Sequence, residues 1–490
     1  MDTHVNLHEL PHEDELVPLC VDLDGTLTPS DLLCEGVAKL LRTRPRSAFK
    51  LLAWTLNGKA YLKQRIADCA AVDARVLPYN MELLSFVRAE HARNRKIVLI
   101  TGADRRAADA VAAHLGVFDS VCASDGKVNL TGQRKASVLL ESYGHQRFDY
   151  VGNDRSDLHV WRHARRALVV DAKPSVRRAA KRGGNADLSL SAAKSWWPPL
   201  LQAMRPHQWI KNLLIFLPLI FAHRISDATA VGHDVLAFIS FSIAASAIYL
   251  VNDMADLEHD RKHRTKRKRP FASGTLPLRL GFVLAPALLI AGLGLALVVS
   301  PAFAAIVAGY VILSLTYSFS LKQIALLDVI VLAGLYTSRI IAGSVAAGVV
   351  ASFWLLAFAL FMFTSLAMVK RYSELLVLRT QGTQAVHGRD YSTNDSEIVA
   401  MFGIGSGYVA VLVVALYING DLVRHLYAHP GVLWGICPIL LYWVSRIWLI
   451  AHRGDMHDDP ILFAIRDRTS LIVAVLVLAV GLAAMLPVHF

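Results

Sequence analysis

Nine long apolar segments fill the carboxyl-terminal part of the chain and restrict its fold more than any other feature. Short polar loops separate them from residue 209 onward, whereas residues before about 200 mix charged and apolar types. A helix needs about 20 apolar residues to span a bilayer. The segments lie near 212–228, 234–251, 279–299, 301–319, 325–345, 350–369, 398–418, 430–450 and 470–488. The sequence therefore predicts an all-α polytopic membrane domain of about nine transmembrane helices.

The loops between these segments are unequal in charge. The loops after the second, fourth, sixth and eighth segments hold most of the basic residues, among them the run 261–269, and the opposite loops offer little beyond Arg224 and Arg424. Basic loops stay on the cytosolic side. The first 20 residues are polar and lack the apolar core of a signal peptide. We expect a plasma (inner) membrane protein whose amino-terminal domain and active sites face the cytosol.

The net charge of +12 is explained by this asymmetry and by the anionic membrane surface. Because no RNA- or DNA-binding motif accompanies the basic residues, we expect no nucleic-acid partner.

Carboxylates at helical spacing follow the second apolar segment. Asn252 and Asp253 precede Asp256 and Asp260, so the three acids are spaced i, i+3 and i+7. Such a face can hold a divalent cation together with a phosphate. The alternative is a solvated acidic helix end beside a basic loop. Carboxylates in or near a membrane are energetically unfavourable, however, and usually have a function.

This string matches NDxxDxxxD, and with nine predicted spans the region from about 200 to 490 resembles the UbiA-like intramembrane prenyltransferase superfamily. Members that prenylate aromatic rings carry a second DxxD motif after the sixth span. Here that loop reads MVKRYSELLVLRTQG and has no DxxD. Together with RPHQWIKN at 205–212, DRKHRTKRKRP at 260–270 and IRDRTS at 465–470, this resembles the decaprenyl-phosphate phosphoribosyltransferase-like branch.

The resemblance implies phosphoribosyl pyrophosphate as donor and a long-chain polyprenyl phosphate as acceptor. It implies Mg²⁺ on the leaving pyrophosphate, held by Asp256 and Asp260 with Asn252 and Asp253 nearby. Charge and loop position assign substrate-binding roles to five further residues. Lys211, Lys266 and Arg269 are predicted to bind donor phosphates, and Lys370 and Arg371 to position the lipid phosphate. An aromatic prenyltransferase and a non-catalytic membrane assembly protein are the alternatives.

Two charged residues lie within the fifth apolar segment. Arg339 and Asp328 are eleven residues apart, about three helical turns. An arginine at membrane depth normally faces a polar cavity, so Arg339 is a candidate for substrate binding. The alternative is a structural ion pair with another helix, and Asp328 could simply lie in the interface.

Three predicted strands in the amino-terminal region end in polar residues. The string VPLCVDLDGTL places Asp22 and Asp24 at a strand end, KIVLITGADRR ends near Thr101, and FDYVGNDRSDL ends near Asp154 and Asp157. Lys135 lies in a polar stretch between the last two strands. Ligands of α/β folds bind at the carboxyl ends of the strands. These residues are therefore expected to share one site.

Most of residues 16–190 resembles the haloacid dehalogenase superfamily, on the DxDGT string and these strand ends. The resemblance implies a Rossmann-like α/β domain, with residues 30–90 long enough for a small helical cap. It implies that Asp22 attacks phosphorus, that Asp24 protonates the leaving oxygen and then activates water, and that Thr101 and Lys135 hold the phosphoryl oxygens.

The same resemblance implies a Mg²⁺ ligated by Asp22, the Asp24 carbonyl and an acid of the last motif. The usual Gly-Asp start of that motif reads Gly152-Asn153 here. Asp157, with Asp154 in support, is then the predicted carboxylate. A degenerate domain kept for folding or docking is the alternative.

We predict a hydrolase domain over 1–190, a linker to the membrane surface over 191–208 and a transmembrane transferase domain over 209–490. Transfer from phosphoribosyl pyrophosphate leaves a 5-phosphate on the lipid-linked ribose. The fusion suggests that the phosphatase domain removes it.

Overall fold

Two compact units make up the chain. The computed structural model describes residues 17–183, 186–189, 195–380, 389–420, 423, 426–456 and 459–485. The first unit comprises Met1–Arg205 with Tyr249–Ala287, and the second comprises Pro206–Ile248 with Leu288–Phe490. The predicted boundaries at 190 and 208 stay predictions, and part of the predicted linker lies outside the described residues. The first unit thus includes the segment that carries the acidic motif.

A six-stranded parallel sheet forms the centre of the first unit, in the order β3-β2-β1-β4-β5-β6. The strands are β1 (Leu19–Val21), β2 (Ile97–Asp104), β3 (Ser120–Ser124), β4 (Asp149–Gly152), β5 (Ala167–Val169) and β6 (Ala186–Ser189). Leu19 and Val21 belong to one apolar core, and Cys20 between them belongs to another. Both faces of the sheet are therefore buried, as in the Rossmann-like fold that the sequence predicts.

Nine described α-helices accompany this sheet in the chain up to Arg205, and some of them contribute to its two buried cores. In chain order they are α1 (Leu32–Thr43), α2 (Ala48–Leu56), α3 (Lys59–Cys69), α4 (Met81–Ala92), α5 (Arg105–Leu115), α6 (Gln133–Tyr143), α7 (Leu158–Trp161), α8 (Pro174–Arg182) and α9 (Trp197–Met204). The segment between β1 and β2 is helical, as expected for the predicted cap. Lys63 on α3 reaches the Gly102 carbonyl in β2 and donates to Asn129 Oδ1 at 2.9 Å. Helix α3 therefore contacts the carboxyl end of β2, where the sequence predicts the hydrolase site.

Long apolar helices dominate the rest of the chain. The helices are α10 (Leu217–Phe221), α11 (Ala228–Ala255), α12 (Leu257–Lys262), α13 (Leu278–Val299), α14 (Pro301–Phe319), α15 (Leu327–Ala346), α16 (Phe353–Thr380), α17 (Ser396–Ile418), α18 (Ile436–His452), α19 (Pro460–Arg466) and α20 (Arg468–Met485). Among the described residues, eight helices are long and apolar enough to cross a membrane. The chain is therefore an integral membrane protein with an all-α membrane domain.

The first predicted membrane helix, near 212–228, is wrong as a single helix. Residues Pro206–Phe216 form a 3₁₀ helix, and the short α10 follows it. Backbone packing against α15 explains the irregularity, since a Cβ atom on Gly343 would collide with the carbonyl of Ile215. Polar side chains of this segment also need partners inside the helix bundle, and Asn212 donates to Ser242 Oγ at 2.9 Å.

The broken segment is nevertheless long enough to cross. Eleven residues at about 2.0 Å each and five at about 1.5 Å give about 30 Å, the thickness of a hydrocarbon core. We therefore expect the segment Pro206–Phe221 to cross the membrane as one irregular span.

Candidate functional site

The first candidate centre lies at the carboxyl end of β1. The Asp22 N–H donates to the Val151 carbonyl at 3.0 Å, which fixes the chain between the two neighbouring strands. The chain then turns at Gly25, whose φ is +79°. A Cβ atom there would collide with Asn153 Nδ2, which donates to the Gly25 carbonyl at 2.8 Å. Only glycine fits this turn, and the turn places Asp22 and Asp24 at the strand end.

Four side chains form a buried network at this strand end. Lys135 Nζ donates to Asp22 Oδ1 at 2.6 Å and to the Tyr150 hydroxyl at 3.2 Å. The Tyr150 hydroxyl donates to Asp157 Oδ1 at 2.9 Å, and Lys135 Nζ lies 4.0 Å from the same oxygen. The predicted residues Asp22, Lys135 and Asp157 therefore meet, joined by Tyr150, which the sequence analysis did not single out.

The acid–base properties of the two aspartates suit their predicted roles. Burial raises the pKa of Asp22 to about 6, although the Lys135 ammonium opposes the shift. Loss of solvent contact raises the pKa of Asp24 to about 7, and the nearby charge of Asp31 acts in the same direction. A carboxyl group with this pKa can give and take a proton near neutral pH.

The last motif supplies one buried carboxylate to this centre. Asp157 is 1% exposed and accepts hydrogen bonds from the N–H groups of Asn153 and Asp154 at 2.9 and 3.0 Å. A Cβ atom on Gly152 would lie 2.7 Å from Asp157 Oδ2, so the glycine makes room for it. Asp154 is exposed, and its side chain forms a capping box with Asp157. The metal-binding roles of both acids stay predictions, and burial favours Asp157.

A magnesium ion fits the charge of this centre. Two buried carboxylates, Asp22 and Asp157, face one ammonium group, that of Lys135. The surplus negative charge suits a hard cation with oxygen ligands. Thr101 is fully buried in β2, and its hydroxyl oxygen accepts the Ala103 N–H at 3.0 Å, so its proton is free for a phosphoryl oxygen. Asp22, Lys135 and Asp157 therefore meet in this centre, and Thr101 lies in the strand that pairs with β1.

The second candidate centre is the acidic motif, also in the first unit. The Arg269 guanidinium contacts Asp253 Oδ1 at 3.2 Å and Asp260 Oδ2 at 2.7 Å through one nitrogen. The two acids seven residues apart therefore meet, as their spacing predicts. Helical hydrogen bonding continues through Asp256, because its N–H donates to Asn252 O at 3.0 Å and its carbonyl accepts from Asp260 at 2.8 Å.

Arginines neutralise the carboxylates of this motif. Arg205 contacts Asp253 Oδ1 at 2.5 Å and adopts a φ of +54°, which is uncommon for an arginine. Burial raises the pKa of Asp260 although Arg269 opposes the shift, and the charge of the half-buried Lys266 also acts to lower it. The predicted donor-binding residues Lys266 and Arg269 are thus close to the acids.

One buried oxygen atom of the motif lacks a hydrogen-bond partner among the described residues, which favours a bound metal ion. Asn252 Oδ1 is buried and accepts no hydrogen bond from the described residues. Such an oxygen is a suitable ligand for Mg²⁺. Within the described ranges, no three His, Cys, Asp or Glu side chains are arranged as a metal site. Arginines contact two of the three acids, Asp253 and Asp260, and the metal-binding role of the motif stays a prediction.

A cationic cluster occupies the second unit. Lys211 Nζ lies 3.0 Å from Asp459 Oδ2, and Lys370 Nζ lies 3.6 Å from the same oxygen. Burial acts to raise the pKa of Asp459, but Lys211 and Lys370 together bring it below its ordinary value. The Lys211 ammonium also lies 5.5 Å from the Tyr336 ring centroid. Two lysines against one carboxylate leave positive charge for an anion.

Arg339 lies among polar and aromatic groups of the second unit. Its guanidinium donates to Asn212 Oδ1 at 2.8 Å and to the Tyr310 hydroxyl at 3.2 Å. It also lies 5.4 Å from the centroid of the Tyr336 ring, which the Lys211 ammonium contacts as well. These partners are uncharged. The structure therefore does not support the alternative in which Arg339 forms a structural ion pair. Its role in substrate binding stays a prediction.

Arg371 occupies a different environment from the neighbouring Lys370. It is 0% exposed and lies 2.7 Å from Asp328 Oδ2, and it also pairs with Glu374. The Tyr391 hydroxyl donates to Asp328 Oδ1 at 2.8 Å. No Arg371 surface is left for a lipid phosphate, so its predicted role is revised to a structural one. Asp328 is buried within the protein.

Several residues of these centres were not found from the sequence. Asp459 carried a usable signal, since an aspartate before Pro460 indicates a helix start, and Asp459 indeed caps α19. Tyr150 and Lys63 carried none, because an apolar strand and a basic helix do not reveal which side chains point into a site. Arg205 belonged to the quoted string RPHQWIKN but was given no role.

Comparison with known proteins covers both parts of the chain. Residues 213–466 match the UbiA prenyltransferase family, and residues 19–162 match the haloacid dehalogenase-like hydrolases. The uncharacterized protein y4nM of Sinorhizobium fredii is 36% identical over 96% of this chain and 92% of its own length. The nodulation protein NoeC of Azorhizobium caulinodans is 39% identical over 59% of this chain and 94% of its own length.

A relative with a named activity matches a smaller region. The decaprenyl-phosphate phosphoribosyltransferase of Corynebacterium glutamicum is 38% identical over 38% of this chain and 57% of its own length.

Proposed function

We propose that this chain, which belongs to the UbiA prenyltransferase family and carries a haloacid dehalogenase-like hydrolase domain before its membrane helices, transfers phosphoribosyl from phosphoribosyl pyrophosphate to a polyprenyl phosphate. The observation that carries the proposal is the charge of the second-unit cluster. Lys211 and Lys370 share one carboxylate, that of Asp459. A prenyl pyrophosphate donor would instead need a second pair of metal-binding acids. The match to a decaprenyl-phosphate phosphoribosyltransferase supports the same reading.

The acidic motif is the proposed site of the donor pyrophosphate. Asp253, Asp256 and Asp260, with the free oxygen of Asn252, would hold Mg²⁺, which neutralises the charge of the leaving group when bound. Arg269 contacts two of these acids and can turn to a donor phosphate. Loss of pyrophosphate leaves an oxocarbenium-like ribosyl centre.

The lipid phosphate is the proposed ligand of the lysine cluster. The Lys370 side chain is 36% exposed and can reach a phosphate. The Lys211 side chain is 9% exposed and donates a hydrogen bond to Asp459. The lipid phosphate oxygen is the proposed nucleophile that attacks the ribosyl centre. The product keeps the 5-phosphate of the ribose.

The hydrolase domain is proposed to remove that 5-phosphate. Asp22 attacks phosphorus, and Asp24, with a pKa of about 7, protonates the leaving ribose oxygen and then activates water. Lys135 and Thr101 hold the phosphoryl oxygens. Asp22 and Asp157 would hold Mg²⁺ there. The two domains would then act in sequence to make polyprenyl-phosphoryl ribose.

The proposed orientation follows from loop charge. We place the hydrolase domain, the acidic motif and the basic run 261–269 on the cytosolic side of the plasma membrane. Phosphoribosyl pyrophosphate is a soluble anion, so a cytosolic site gives it direct access.

A donor screen tests the transferase proposal. Membranes containing the chain are incubated with labelled phosphoribosyl pyrophosphate or labelled prenyl pyrophosphate, each with a polyprenyl phosphate or an aromatic acceptor. We expect labelled lipid only from phosphoribosyl pyrophosphate and polyprenyl phosphate, and Asp260→Ala should abolish it. Consumption of prenyl pyrophosphate with the aromatic acceptor would instead identify an aromatic prenyltransferase.

The same assay tests the coupling of the two domains. The Asp22→Asn variant should accumulate the 5-phosphorylated lipid, whereas the wild type releases phosphate from it. Asp109→Asn, which changes an exposed acid on α5, is the matched control and should behave as wild type. If wild type and Asp22→Asn yield the same 5-phosphorylated lipid, the coupling is refuted.

A further inference from the structure

Helix α1 starts at the hydrolase centre. The Leu32 N–H at its first residue donates to Asp24 Oδ1 at 2.9 Å. Asp31 caps the helix by accepting the Cys34 N–H at 3.0 Å, and its carboxylate also pairs with Arg279. A displacement of the start of α1 would therefore move the proposed acid–base group of the phosphatase.

One face of the same helix meets the acidic motif, within the first unit. Glu35, Lys39 and Arg42 follow one another at i, i+4 and i+7, so they share a face. Three ion pairs run along that face. They are Glu35–Arg261 at 2.5 Å, Lys39–Glu258 at 2.6 Å and Arg42–Asp256 at 3.6 Å.

The pair nearest the hydrolase centre is the firmest of the three. Arg261 donates to both Glu35 oxygens, at 3.0 and 2.5 Å, and both side chains are at most 5% exposed. Ser30 also donates to Glu35. Removing one partner of a buried ion pair is strongly destabilising, whereas part-exposed pairs such as Arg42–Asp256 contribute little to stability. Arg42 can thus be altered without unfolding the unit.

A second close approach fixes the same two segments. Gly274 has a φ of +76°, and a Cβ atom there would lie 2.5 Å from Pro29 Cγ. The loop that follows the acidic motif therefore lies directly against the loop that carries Asp24, and a larger residue would separate them.

We infer that Arg42, a residue of the hydrolase domain, is a positioning residue of the transferase: it holds the Asp256 carboxylate for the donor pyrophosphate. The inference rests on the proposed function of the acidic motif. Arg205 and Arg269 hold Asp253, and Arg269 holds Asp260, so Arg42 completes a set in which every acid of the motif faces a guanidinium. The transferase then depends on the presence of α1 and not on phosphatase chemistry.

Binding of inorganic pyrophosphate with Mg²⁺ to the detergent-solubilised full chain tests this without turnover. Arg42→Ala should weaken binding about tenfold, and Arg42→Lys should restore most of it. Arg46→Ala, which removes an exposed arginine just beyond α1, is the matched control and should bind as wild type. Thermal unfolding of all variants should stay close to that of the wild type.

A double-mutant cycle separates positioning from a general effect. If Arg42 acts through Asp256, Arg42→Ala should change pyrophosphate binding less than about twofold in an Asp256→Asn background. Equal losses in both backgrounds would overturn the inference. So would wild-type binding by Arg42→Ala while Asp256→Asn binds weakly, and this result leaves the proposed function standing. Wild-type binding by Asp256→Asn would overturn both.

The Lys39–Glu258 pair offers a test that keeps the number of charges. Lys39→Glu and Glu258→Lys should each weaken pyrophosphate binding by a fewfold, because each places like charges against one another. The double variant should recover binding, since the attraction between α1 and α12 returns. Failure of the double variant to exceed both single variants would contradict a positioning role for α1.

Discussion

At the scale of single residues, Lys370 and Arg371 are neighbouring cations on α16 with opposite environments. Lys370 is 36% exposed beside Asp459, and Arg371 is 0% exposed against Asp328. Charge and loop position predict the same role for both residues because they do not report burial. A side chain that binds a phosphate needs solvent-accessible nitrogen atoms. Of these two residues, only Lys370 has them.

We predict that Arg371→Met lowers stability and Lys370→Met lowers activity. The first leaves Asp328 buried without its cation, which should reduce the free energy of unfolding by about 3 kcal/mol or more. The second should reduce kcat/KM for polyprenyl phosphate about 10- to 100-fold with little change in stability. Thermal unfolding in detergent and lipid kinetics measure the two effects. Equal losses of stability would contradict the distinction.

The two acids of the last hydrolase motif differ in the same way. Asp157 is 1% exposed within the Lys135–Tyr150 network, and Asp154 is exposed. We predict that Asp157→Asn reduces phosphate release about 100-fold or more, since the centre loses a charge that a cation needs. Asp154→Asn should stay within about threefold of wild type. The reverse order would favour Asp154 as the metal-binding acid.

At the scale of elements, the 3₁₀ segment Pro206–Phe216 depends on one glycine of α15. The Ile215 carbonyl lies where a Gly343 side chain would be, and the segment carries Lys211 and Asn212. Hydropathy predicts a regular helix here because it records apolar length and not backbone contact. The close approach is decided by the neighbouring helix.

Gly343→Ala should therefore destabilise the protein by about 2 kcal/mol or more and reduce transfer, because the segment with Lys211 must move. Gly334→Ala on the same helix is the matched control. A Cβ atom there has nothing within 4 Å, so this variant should unfold within about 1 kcal/mol of wild type. Thermal unfolding and the lipid-transfer assay measure both variants. If the two behave alike, packing against Ile215 is not what shapes the segment.

At the scale of the whole molecule, the chain must cross the membrane between Arg205 and Tyr249 an even number of times if both ends stay on one side. If α11 crosses once between ends that lie on the same side, the segment before it should cross as well. Nine crossings stay a prediction, since eight helices among the described residues are long and apolar enough to span a membrane.

Thiol labelling tests this topology. In a chain whose five native cysteines are replaced by serine, Ser226→Cys should react with a membrane-impermeant reagent in intact cells. Arg264→Cys, in the basic run, should react only after permeabilisation. Reaction of both positions from the same side would mean that the broken segment does not cross.

The sequence by itself determined the membrane helices, the parallel α/β domain and the motifs Asp22–Asp24 and Asn252–Asp260. Apolar length, strand-end acids and helical spacing are local properties, so a linear pattern records them. The match to both families confirms the two-domain reading.

Only the tertiary structure decided which charges are paired. It buried Arg371 against Asp328, left Asp154 exposed, paired Asp459 with Lys211 and Tyr150 with Lys135, and placed Arg42 against Asp256. These outcomes depend on burial and on contacts between residues as many as 248 positions apart. Whether a charge binds substrate or a neighbouring side chain is set by packing, and packing is not a property of any single segment.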